Sequence, residues 1–276
     1  MAFQLRYFAG IALALSADPA LGARSALQAV FGSLAWFGAI FYTYLYNGCM
    51  DYHEDRVNGS ARPLASGRLP RRTALLVARG AAVASLVSAA CAGLGPALLC
   101  AAMLLLGHAY SAPRTAWKNR TPAAMGVVFL SGLLTYAAGP LALGVSPRSP
   151  ALFLTALAMS LWMALVGAVA KDFSDIEGDA AAGRRTWAVT LGERRTRVLV
   201  AVGACTVGGT FTAGASRWAP EQLPTAAVVL AGGIALAVVT LTGHAGDARH
   251  LRRRPYRYFM VTQHCAHLAL LGQAVV

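Results

Sequence analysis

The amino-acid sequence predicts an all-α integral membrane protein, a bundle of nine transmembrane helices. Hydrophobic residues make up 57% of its 276 residues and charged residues only 13%, whereas soluble domains carry about 25% charged residues. The apolar residues form long uncharged runs, and a helix needs roughly 20 such residues to cross a bilayer. Lysine and arginine residues cluster between these runs, as they do in the cytoplasmic connections of membrane proteins. This composition excludes a soluble enzyme and a disordered chain.

Nine apolar runs have the length that membrane-spanning helices require, or nearly so. The predicted spans are 7–22, 26–47, 73–94, 97–112, 122–143, 151–171, 197–215, 223–243 and 257–275. No linker, low-complexity tract or soluble appendage separates them. We therefore expect one membrane domain that covers residues 1–276.

The distribution of basic residues predicts how the helices are oriented. The chain has 24 Lys and Arg residues against 11 Asp and Glu residues, which gives a net charge of +13. Eighteen of the 24 basic residues lie in four connections, which are 56–72, 114–120, 184–197 and 247–257. These alternate with four connections that hold only Arg24, Arg148 and Arg217. By the positive-inside rule, the N-terminus and the basic connections face the cytoplasm, and the C-terminus lies on the far side.

The positive charge indicates membrane topology rather than nucleic-acid binding. The basic residues come in short bursts and do not line one amphipathic face, as they do in a nucleic-acid-binding helix. The lipid bilayer is thus the expected partner. Frequent Ala and Arg residues favour a GC-rich bacterial source, for which the location would be the cytoplasmic membrane.

Two acidic clusters stand out, because seven of the 11 acidic residues lie within 51–55 and 172–179. In the first acidic motif (residues 47–55), Asn47, Asp51 and Asp55 are four residues apart. Each such step turns a helix by only about 40° net, so the three side chains should share one face at the cytoplasmic end of the second helix.

The second acidic motif (residues 171–179) repeats this pattern. Asp172, Asp175 and Asp179 follow i, i+3 and i+7, which again predicts one helix face. The predicted topology places both motifs at the same membrane surface.

The two motifs predict a magnesium site. Carboxylates at membrane depth are costly unless they are paired or bind a cation. The repeated positions carry only oxygen ligands, which favours Mg²⁺, an ion that commonly shares its coordination with substrate phosphates. The candidate ligands and catalytic residues are Asp51, Asp55, Asp172 and Asp175, and Asp179 is a further candidate ligand. Solvated loop charges that merely balance the arginines are the alternative, but they give no reason for the repeated spacing.

Basic side chains near both motifs could hold a diphosphate between the metal ions. The candidates are Arg56, Arg62, Lys118 and Lys171. A substrate with a diphosphate head at the cytoplasmic rim and an apolar tail among the helices has the shape of an isoprenyl diphosphate. Phe37, Phe41 and Tyr44 could stabilise an allylic cation through their ring faces, or they could simply pack.

Five segments resemble the UbiA superfamily of intramembrane prenyltransferases. These are Asn47–Asp55, Arg62–Arg68, Tyr110–Lys118, Lys171–Asp179 and Gly183–Gly192. The resemblance covers the chain from about residue 40 to about residue 200. It implies nine helices around a central cavity, open to the cytoplasmic side in the predicted orientation, with Mg²⁺ bridging a diphosphate to both motifs. Asn47 would then support the first metal ion, and Tyr110 would join Arg62, Lys118 and Lys171 in binding the diphosphate.

Three departures from the superfamily pattern bear on the substrate. Gly48 stands where many members have a second Asn or Asp, and Gly167 stands where a tyrosine is frequent in homogentisate-type members. In 4-hydroxybenzoate-type members, an arginine of the first helix binds the acceptor carboxylate. The first helix of this chain offers only Arg6, which we expect at the rim. A hydroxybenzoate acceptor is therefore disfavoured.

The first hypothesis is a Mg²⁺-dependent prenyltransferase. It would ionise a geranyl, farnesyl or geranylgeranyl diphosphate and transfer the prenyl group to an aromatic or other apolar acceptor. The second is a terpene cyclase on the same scaffold, which needs no acceptor. The third is a transporter or lipid-binding protein that holds the diphosphate without chemistry. The sequence contains no GxxxxGK[ST] motif or Rossmann fingerprint, so nucleotide chemistry has no support.

Overall fold

The computed structural model describes residues 2–18, 21–57, 60–244 and 248–273. Within these ranges the chain forms helices and no strand, apart from an isolated bridge between Arg120 and Arg185. Parts of the predicted spans 7–22 and 257–275 lie outside the described residues, as does the side chain of Arg24.

The helices follow the apolar runs of the sequence. In chain order they are α1 (Ala2–Ala17), α2 (Leu21–Met50), α3 (Tyr52–Val57), α4 (Arg71–Ala92), α5 (Leu94–Ser111), α6 (Thr121–Ala142), α7 (Pro150–Leu161), α8 (Ala168–Ala170), α9 (Ile176–Ala181), α10 (Trp187–Thr190), α11 (Glu193–Trp218), α12 (Leu223–Thr242), α13 (Arg249–Arg252) and α14 (Arg254–Gln273). The long helices pack into one bundle, whose main apolar core joins α6, α7, α11, α12 and α14.

Seven helical segments of the described chain are long and apolar enough to cross a membrane. They are Ala26–Met50, Arg71–Ala92, Leu94–Ser111, Thr121–Ala142, Pro150–Ser174, Glu193–Trp218 and Pro220–Thr242. The protein is therefore a multi-pass membrane protein. Each of the nine predicted spans overlaps a long helix, but the segment Phe3–Ala17 is shorter than these seven, and α14 carries polar residues in its interior.

The span that leads into the second acidic motif is not a regular α-helix. After α7, residues Trp162–Gly167 form a π-helix, and Lys171–Ser174 close the span as a 3₁₀-helix. A π-helical turn inserts an extra residue and often marks a functional site. Gly167 lies in this segment, and a Cβ atom there would overlap the Phe259 ring. The ring of Phe259 thus takes the space that a larger side chain at position 167 would need.

Helices α1 and α6 approach each other closely through small residues, as is common in membrane bundles. A Cβ atom on Gly139 would lie 2.6 Å from the backbone oxygen of Tyr7 and 2.8 Å from the backbone nitrogen of Ile11. Backbone atoms cannot move aside as a flexible side chain can, so this contact requires glycine. Gly126 on the same helix differs, because a Cβ atom added there would have open space within 4 Å.

We predict that Gly139→Ala and Gly126→Ala change stability in opposite directions. Alanine at position 126 should stabilise the helix by about 0.5–1 kcal/mol because it restricts the unfolded chain. Alanine at position 139 should destabilise the protein by about 1–3 kcal/mol because it forces α1 and α6 apart. Thermal unfolding in detergent, followed by circular dichroism at the helix signal, measures both. An equal rise in Tm for the two variants would show that the helices do not meet at Gly139.

Candidate functional site

A cavity of about 990 Å³ opens at the end of the bundle where α2 ends and the 3₁₀-helix Lys171–Ser174 begins. Both acidic motifs line it, and each of the four basic connections contributes residues to its wall. All ten candidate site residues that the two motifs and the family resemblance indicate meet there, namely Asn47, Asp51, Asp55, Arg62, Tyr110, Lys118, Lys171, Asp172, Asp175 and Asp179. Residues far apart in the sequence are thus brought to one site.

Arg56, a further candidate for binding phosphate, does not line this cavity. It lies exposed on α3, and its Nη1 atom donates to the Tyr52 hydroxyl at 3.0 Å. The guanidinium group also lies over the Tyr52 ring, 5.6 Å from the centroid. Its contacts are therefore local to α3.

The first acidic motif stays nearly helical across the end of α2. The backbone nitrogen of Asp51 donates to the oxygen of Asn47 at 2.9 Å, and the nitrogen of Asp55 donates to the oxygen of Asp51 at 2.8 Å. These are helical i→i−4 bonds, so Asn47, Asp51 and Asp55 all face the cavity, as the spacing predicts. The Asn47 amide also donates to the Ser111 hydroxyl at 3.1 Å, which ties α2 to α5.

The second acidic motif does not form the continuous helix that its spacing suggested. The 3₁₀-helix ends at Ser174, Asp175 has non-helical backbone angles (φ −125°, ψ 14°), and α9 begins at Ile176. The predicted continuous helix is therefore wrong, although all three aspartates of the motif line the same cavity. Asp172 and Asp179 are buried, at 8% and 5% exposure, whereas the Asp175 side chain is 47% exposed.

Arg184 joins the two acidic motifs. Its Nη1 atom lies 3.2 Å from Asp179 Oδ1, and its Nη2 atom lies 3.4 Å from Asp51 Oδ1 and also contacts Glu54. Gly183, with φ of +69°, turns the chain after α9, and the Arg184 nitrogen then donates to the Asp179 oxygen at 2.9 Å. The arginine is thereby directed back over the motif that precedes it.

The electrostatics of this bridge follow from burial and charge. Burial acts to lower the pKa of Arg184, but the carboxylates of Glu54, Asp51 and Asp179 raise it above its usual value. Burial raises the pKa of Asp179, although the nearby Arg184 charge opposes this. Arg184 was not among the predicted site residues. The feature of the sequence that could have identified Arg184 as a site residue is its position just after the second motif.

Several other carboxylates are also paired with basic residues. Lys118 contacts Asp51, and Arg62 Nη1 lies 2.9 Å from Asp55 Oδ2. These pairs join candidate diphosphate-binding side chains to candidate metal ligands. The ammonium group of Lys171 instead donates to the Tyr110 hydroxyl at 2.9 Å.

The last basic connection reaches the same cavity. Arg249 Nη2 lies 2.7 Å from Asp175 Oδ1, and Arg252 Nη1 lies 2.7 Å from Glu177 Oε1. The hydrogen bond from Arg252 lowers the pKa of Glu177. These contacts join residues about 75 positions apart in the chain, and the charge pattern, which indicates membrane topology, did not predict them.

The donor set is compatible with Mg²⁺ that arrives with a phosphate. No group of three His, Cys, Asp or Glu side chains among the described residues is arranged to hold a metal ion. Asp172 lines the cavity and is buried, yet its carboxylate has no hydrogen bond or ion pair with the rest of the described chain. Mg²⁺ usually takes one or two carboxylates and completes its shell with water and phosphate oxygens. A carboxylate that lines the cavity and forms no hydrogen bond or ion pair within the described residues meets that requirement.

The three aromatic residues of α2 do not line the polar cavity. Phe37 and Phe41 stack with ring centroids 6.4 Å apart, and both are exposed on the surface of the helix. Tyr44 is exposed too, on the turn of α2 that precedes Asn47. They lie on one face of α2, farther along the bundle than the acidic motifs.

Arg6 is wholly buried, so the expectation that it lies at the rim is wrong. Its Nη2 atom donates to the Gln263 side-chain oxygen at 2.5 Å. In the same interior region, the Tyr136 hydroxyl of α6 lies 2.6 Å from His267 Nε2. Helix α14 provides Gln263 and His267 to this interior polar cluster, which could not be foreseen from α1 alone. Arg6 does not line the cavity of the acidic motifs.

Residues 5–260 match the model of the UbiA prenyltransferase family. The chain belongs to this family. The match extends over nearly the whole bundle and includes both acidic motifs, in agreement with the resemblance seen in the sequence.

The relatives that match this chain include one protein named as a prenyltransferase and two named as synthases. The chain is 33% identical over 179 residues to 2-acylphloroglucinol 4-prenyltransferase of Humulus lupulus, a match that covers 62% of this chain and 43% of that protein. It is 31% identical over 173 residues to digeranylgeranylglyceryl phosphate synthase of Thermococcus gammatolerans, with coverage of 60% and 58%. Somaliensene A/B synthase of Streptomyces somaliensis is 32% identical over 182 residues, with coverage of 66% and 58%. The matches thus span about half the length of these curated relatives.

Solved structures of UbiA homologues share the fold. The structure of a homologue from Archaeoglobus fulgidus bound to DMAPP and Mg²⁺ superposes with a TM-score of 0.75 at 18% identity, covering 100% of this chain and 95% of that one. The same homologue bound to GPP and Mg²⁺ gives a TM-score of 0.68 at 20% identity, covering 100% and 97%. The helical bundle of this chain is therefore the UbiA fold.

We predict that Arg184→Gln lowers stability and that Mg²⁺ restores part of it. Without the guanidinium, Asp51, Glu54 and Asp179 lose a shared counter-charge, which should cost about 2 kcal/mol for this partly exposed group. Mg²⁺ should then raise the Tm of the variant more than that of the unmodified protein, because binding to the folded state stabilises it.

The control for this experiment is Arg185→Gln, which removes the same charge from the next residue. Arg185 is exposed and does not line the cavity. Thermal unfolding across a Mg²⁺ titration compares the variants. An equal Mg²⁺ effect in all three proteins would contradict the role of Arg184 as the counter-charge of both motifs.

Proposed function

We propose that this protein is a Mg²⁺-dependent membrane prenyltransferase that ionises an isoprenyl diphosphate and transfers the prenyl group to an aromatic or other apolar acceptor. The observation that carries the proposal is the convergence of both acidic motifs with lysine and arginine side chains on one cavity. Family membership supports the same reaction class. The Archaeoglobus homologue, solved with DMAPP or GPP and Mg²⁺, supports a prenyl diphosphate as the donor, in the geranyl, farnesyl or geranylgeranyl class.

The carboxylates of the two motifs would hold Mg²⁺. The proposed ligands are Asp51, Asp55, Asp172, Asp175 and Asp179, with Asn47 supporting the first motif. Bound Mg²⁺ would neutralise charge on the departing diphosphate and so favour ionisation of the allylic C–O bond. Asp172 is a suitable ligand, because its carboxylate lines the cavity and forms no hydrogen bond or ion pair within the described chain.

The cationic side chains of the cavity would bind the phosphate oxygens. Lys118 and Arg62 are held beside the first motif by Asp51 and Asp55, and Lys171 is held by the Tyr110 hydroxyl. Each can donate charge-assisted hydrogen bonds to the diphosphate as negative charge develops on it. On binding the substrate, Lys118 and Arg62 would therefore exchange carboxylate contacts for phosphate contacts, and Lys171 would exchange its contact with the Tyr110 hydroxyl.

The apolar bundle would receive the prenyl tail and exclude water from the allylic cation. The acceptor would lose a proton after its carbon atom is alkylated, either to an aspartate of the second motif or to the diphosphate. Arg6 lies buried in the interior and not at the rim, so a rim position of this arginine no longer counts against a hydroxybenzoate acceptor.

We further propose the nine-span topology, with α1 and α14 as the first and last spans. The N-terminus and both acidic motifs would face the cytoplasm, and the location would be the cytoplasmic membrane. The gathering of the four basic connections around one cavity supports this orientation through the positive-inside rule. The diphosphate would then enter from the cytoplasm.

We predict that Asp51→Asn and Asp172→Asn abolish turnover while the bundle stays folded. Purified protein in detergent is incubated with Mg²⁺, a prenyl diphosphate and a panel of phenolic and quinone-precursor acceptors, and released diphosphate is measured. We expect a rate loss of about 100-fold or more for each variant, because charge stabilisation of this kind contributes that much per group. Glu221→Gln, at a carboxylate outside this cavity, should retain full activity. Full turnover in Asp51→Asn or Asp172→Asn would contradict the proposed metal-diphosphate site.

A terpene cyclase is the second candidate, and the similarity to somaliensene A/B synthase favours it. A cyclase would let the cation attack the double bonds of its own donor, so it needs no acceptor. Diphosphate release from the donor alone, together with a cyclic hydrocarbon or alcohol in the extract, would identify it. Release that depends on an added acceptor identifies the transferase, and binding without release identifies a non-catalytic binder.

A further inference from the structure

The last basic connection supplies half of the positive charge in the cavity. Eight Lys and Arg residues and seven Asp and Glu residues line the wall. Four of the eight basic residues come from this connection, namely Arg249, Arg252, Arg253 and Arg257. Without them the wall would carry a clear excess of negative charge, which would oppose binding of an anion.

Two of these arginines hold the connection against the second acidic motif. Arg249 contacts Asp175 at 2.7 Å and donates through Nε to the backbone oxygen of Ser174 at 3.1 Å. Arg252 contacts Glu177 at 2.7 Å. Their charges are therefore already engaged, and their contacts fix where α14 begins relative to the cavity.

The other two arginines are available to a ligand. Arg253 and Arg257 line the cavity and are exposed, and neither side chain forms a hydrogen bond or ion pair within the described part of the chain. The backbone nitrogen of Arg257 donates to the oxygen of Arg253 at 3.1 Å, so the two residues are one helical turn apart. Side chains at i and i+4 lie on the same side of a helix.

We infer that Arg253 and Arg257 bind the diphosphate group of the substrate and of the released product, and that Arg249 and Arg252 are positioning residues for this pair. The inference rests on the proposed function and adds a binding element outside the two acidic motifs. Two guanidinium groups on one side of a helix match a diphosphate, because each can give paired hydrogen bonds to phosphate oxygens. The neighbouring carboxylates are engaged by the positioning pair, which leaves Arg253 and Arg257 for an anion.

Titration of the purified protein with inorganic diphosphate at fixed Mg²⁺ tests the inference by calorimetry. Arg253→Gln combined with Arg257→Gln should raise Kd by roughly tenfold or more, since two charge-assisted contacts are lost. The matched control is Arg254→Gln, which removes one charge from the same turn at an exposed residue that does not line the cavity. It should leave Kd within about twofold, as expected for a charge that does not contact the ligand. Unfolding curves should coincide for all variants because these side chains have no partner to lose.

If Arg252 positions Arg253 and Arg257, the effect of Glu177→Gln on Kd should depend on the presence of those two arginines. A merely structural role would not produce this dependence. Glu177→Gln removes the 2.7 Å contact of Arg252 with this carboxylate, although the contact with Glu193 at 3.9 Å is kept. The connection is then held less firmly, so Kd for diphosphate should rise by a few-fold. In the Arg253→Gln, Arg257→Gln background the same change should have no further effect, because it acts through those two residues. Additive effects would overturn the positioning role.

The outcomes separate this inference from the proposed function. If Asp172→Asn loses diphosphate binding and the double arginine variant does not, the inference fails and the proposed function stands. If the unmodified protein binds no diphosphate with Mg²⁺, both fail. Phosphate groups of lipids share the same chemistry, so the variants are also compared in phosphatidylcholine and phosphatidylglycerol nanodiscs. If the double arginine variant differs from the unmodified protein only in weaker association with phosphatidylglycerol, and not in Kd for diphosphate, the inference is overturned and the arginines form a lipid site.

Discussion

The arrangement of the site depends on one interaction, the contact of Arg184 with carboxylates from both acidic motifs. Two clusters of like charge at one end of a bundle repel each other unless a cation lies between them. In the free protein the guanidinium of Arg184 supplies that charge, and Lys118 adds to it at Asp51. The two acidic motifs can therefore lie side by side at one polar cavity without a bound ligand.

The same charges explain how the cavity could accept both a metal ion and a diphosphate. Lys118, Arg62 and Arg184 are paired with carboxylates that could serve Mg²⁺. A diphosphate bound with Mg²⁺ would bring both signs of charge, so each carboxylate and each cation could change partner without leaving a buried charge alone. This matters because an unpaired ion in a partly buried site is costly.

Irregular helix geometry decides which carboxylates are buried. The π-helix Trp162–Gly167 changes the register before Asp172, which itself lies in the 3₁₀-helix Lys171–Ser174. Asp172 is consequently enclosed, while Asp175, at the break before α9, reaches the exposed Arg249. The stacking of Trp162 on Phe259, with centroids 6.0 Å apart, packs the last helix against this distorted segment.

The membrane class, the approximate helix positions and the carboxylates that meet in the cavity could be predicted from the sequence, because apolar runs and repeated carboxylate spacings are local signals. Tyr110 was indicated by the family resemblance alone. The partners of these residues could not. Arg184 reaches Asp51 across 133 positions, Arg249 reaches Asp175 across 74, and Arg6 reaches Gln263 across 257. No local pattern encodes such contacts, since they depend on how the helices pack. The break at Asp175 escaped prediction for a related reason: an ideal helical period cannot anticipate where a 3₁₀-helix replaces the α-helix and ends.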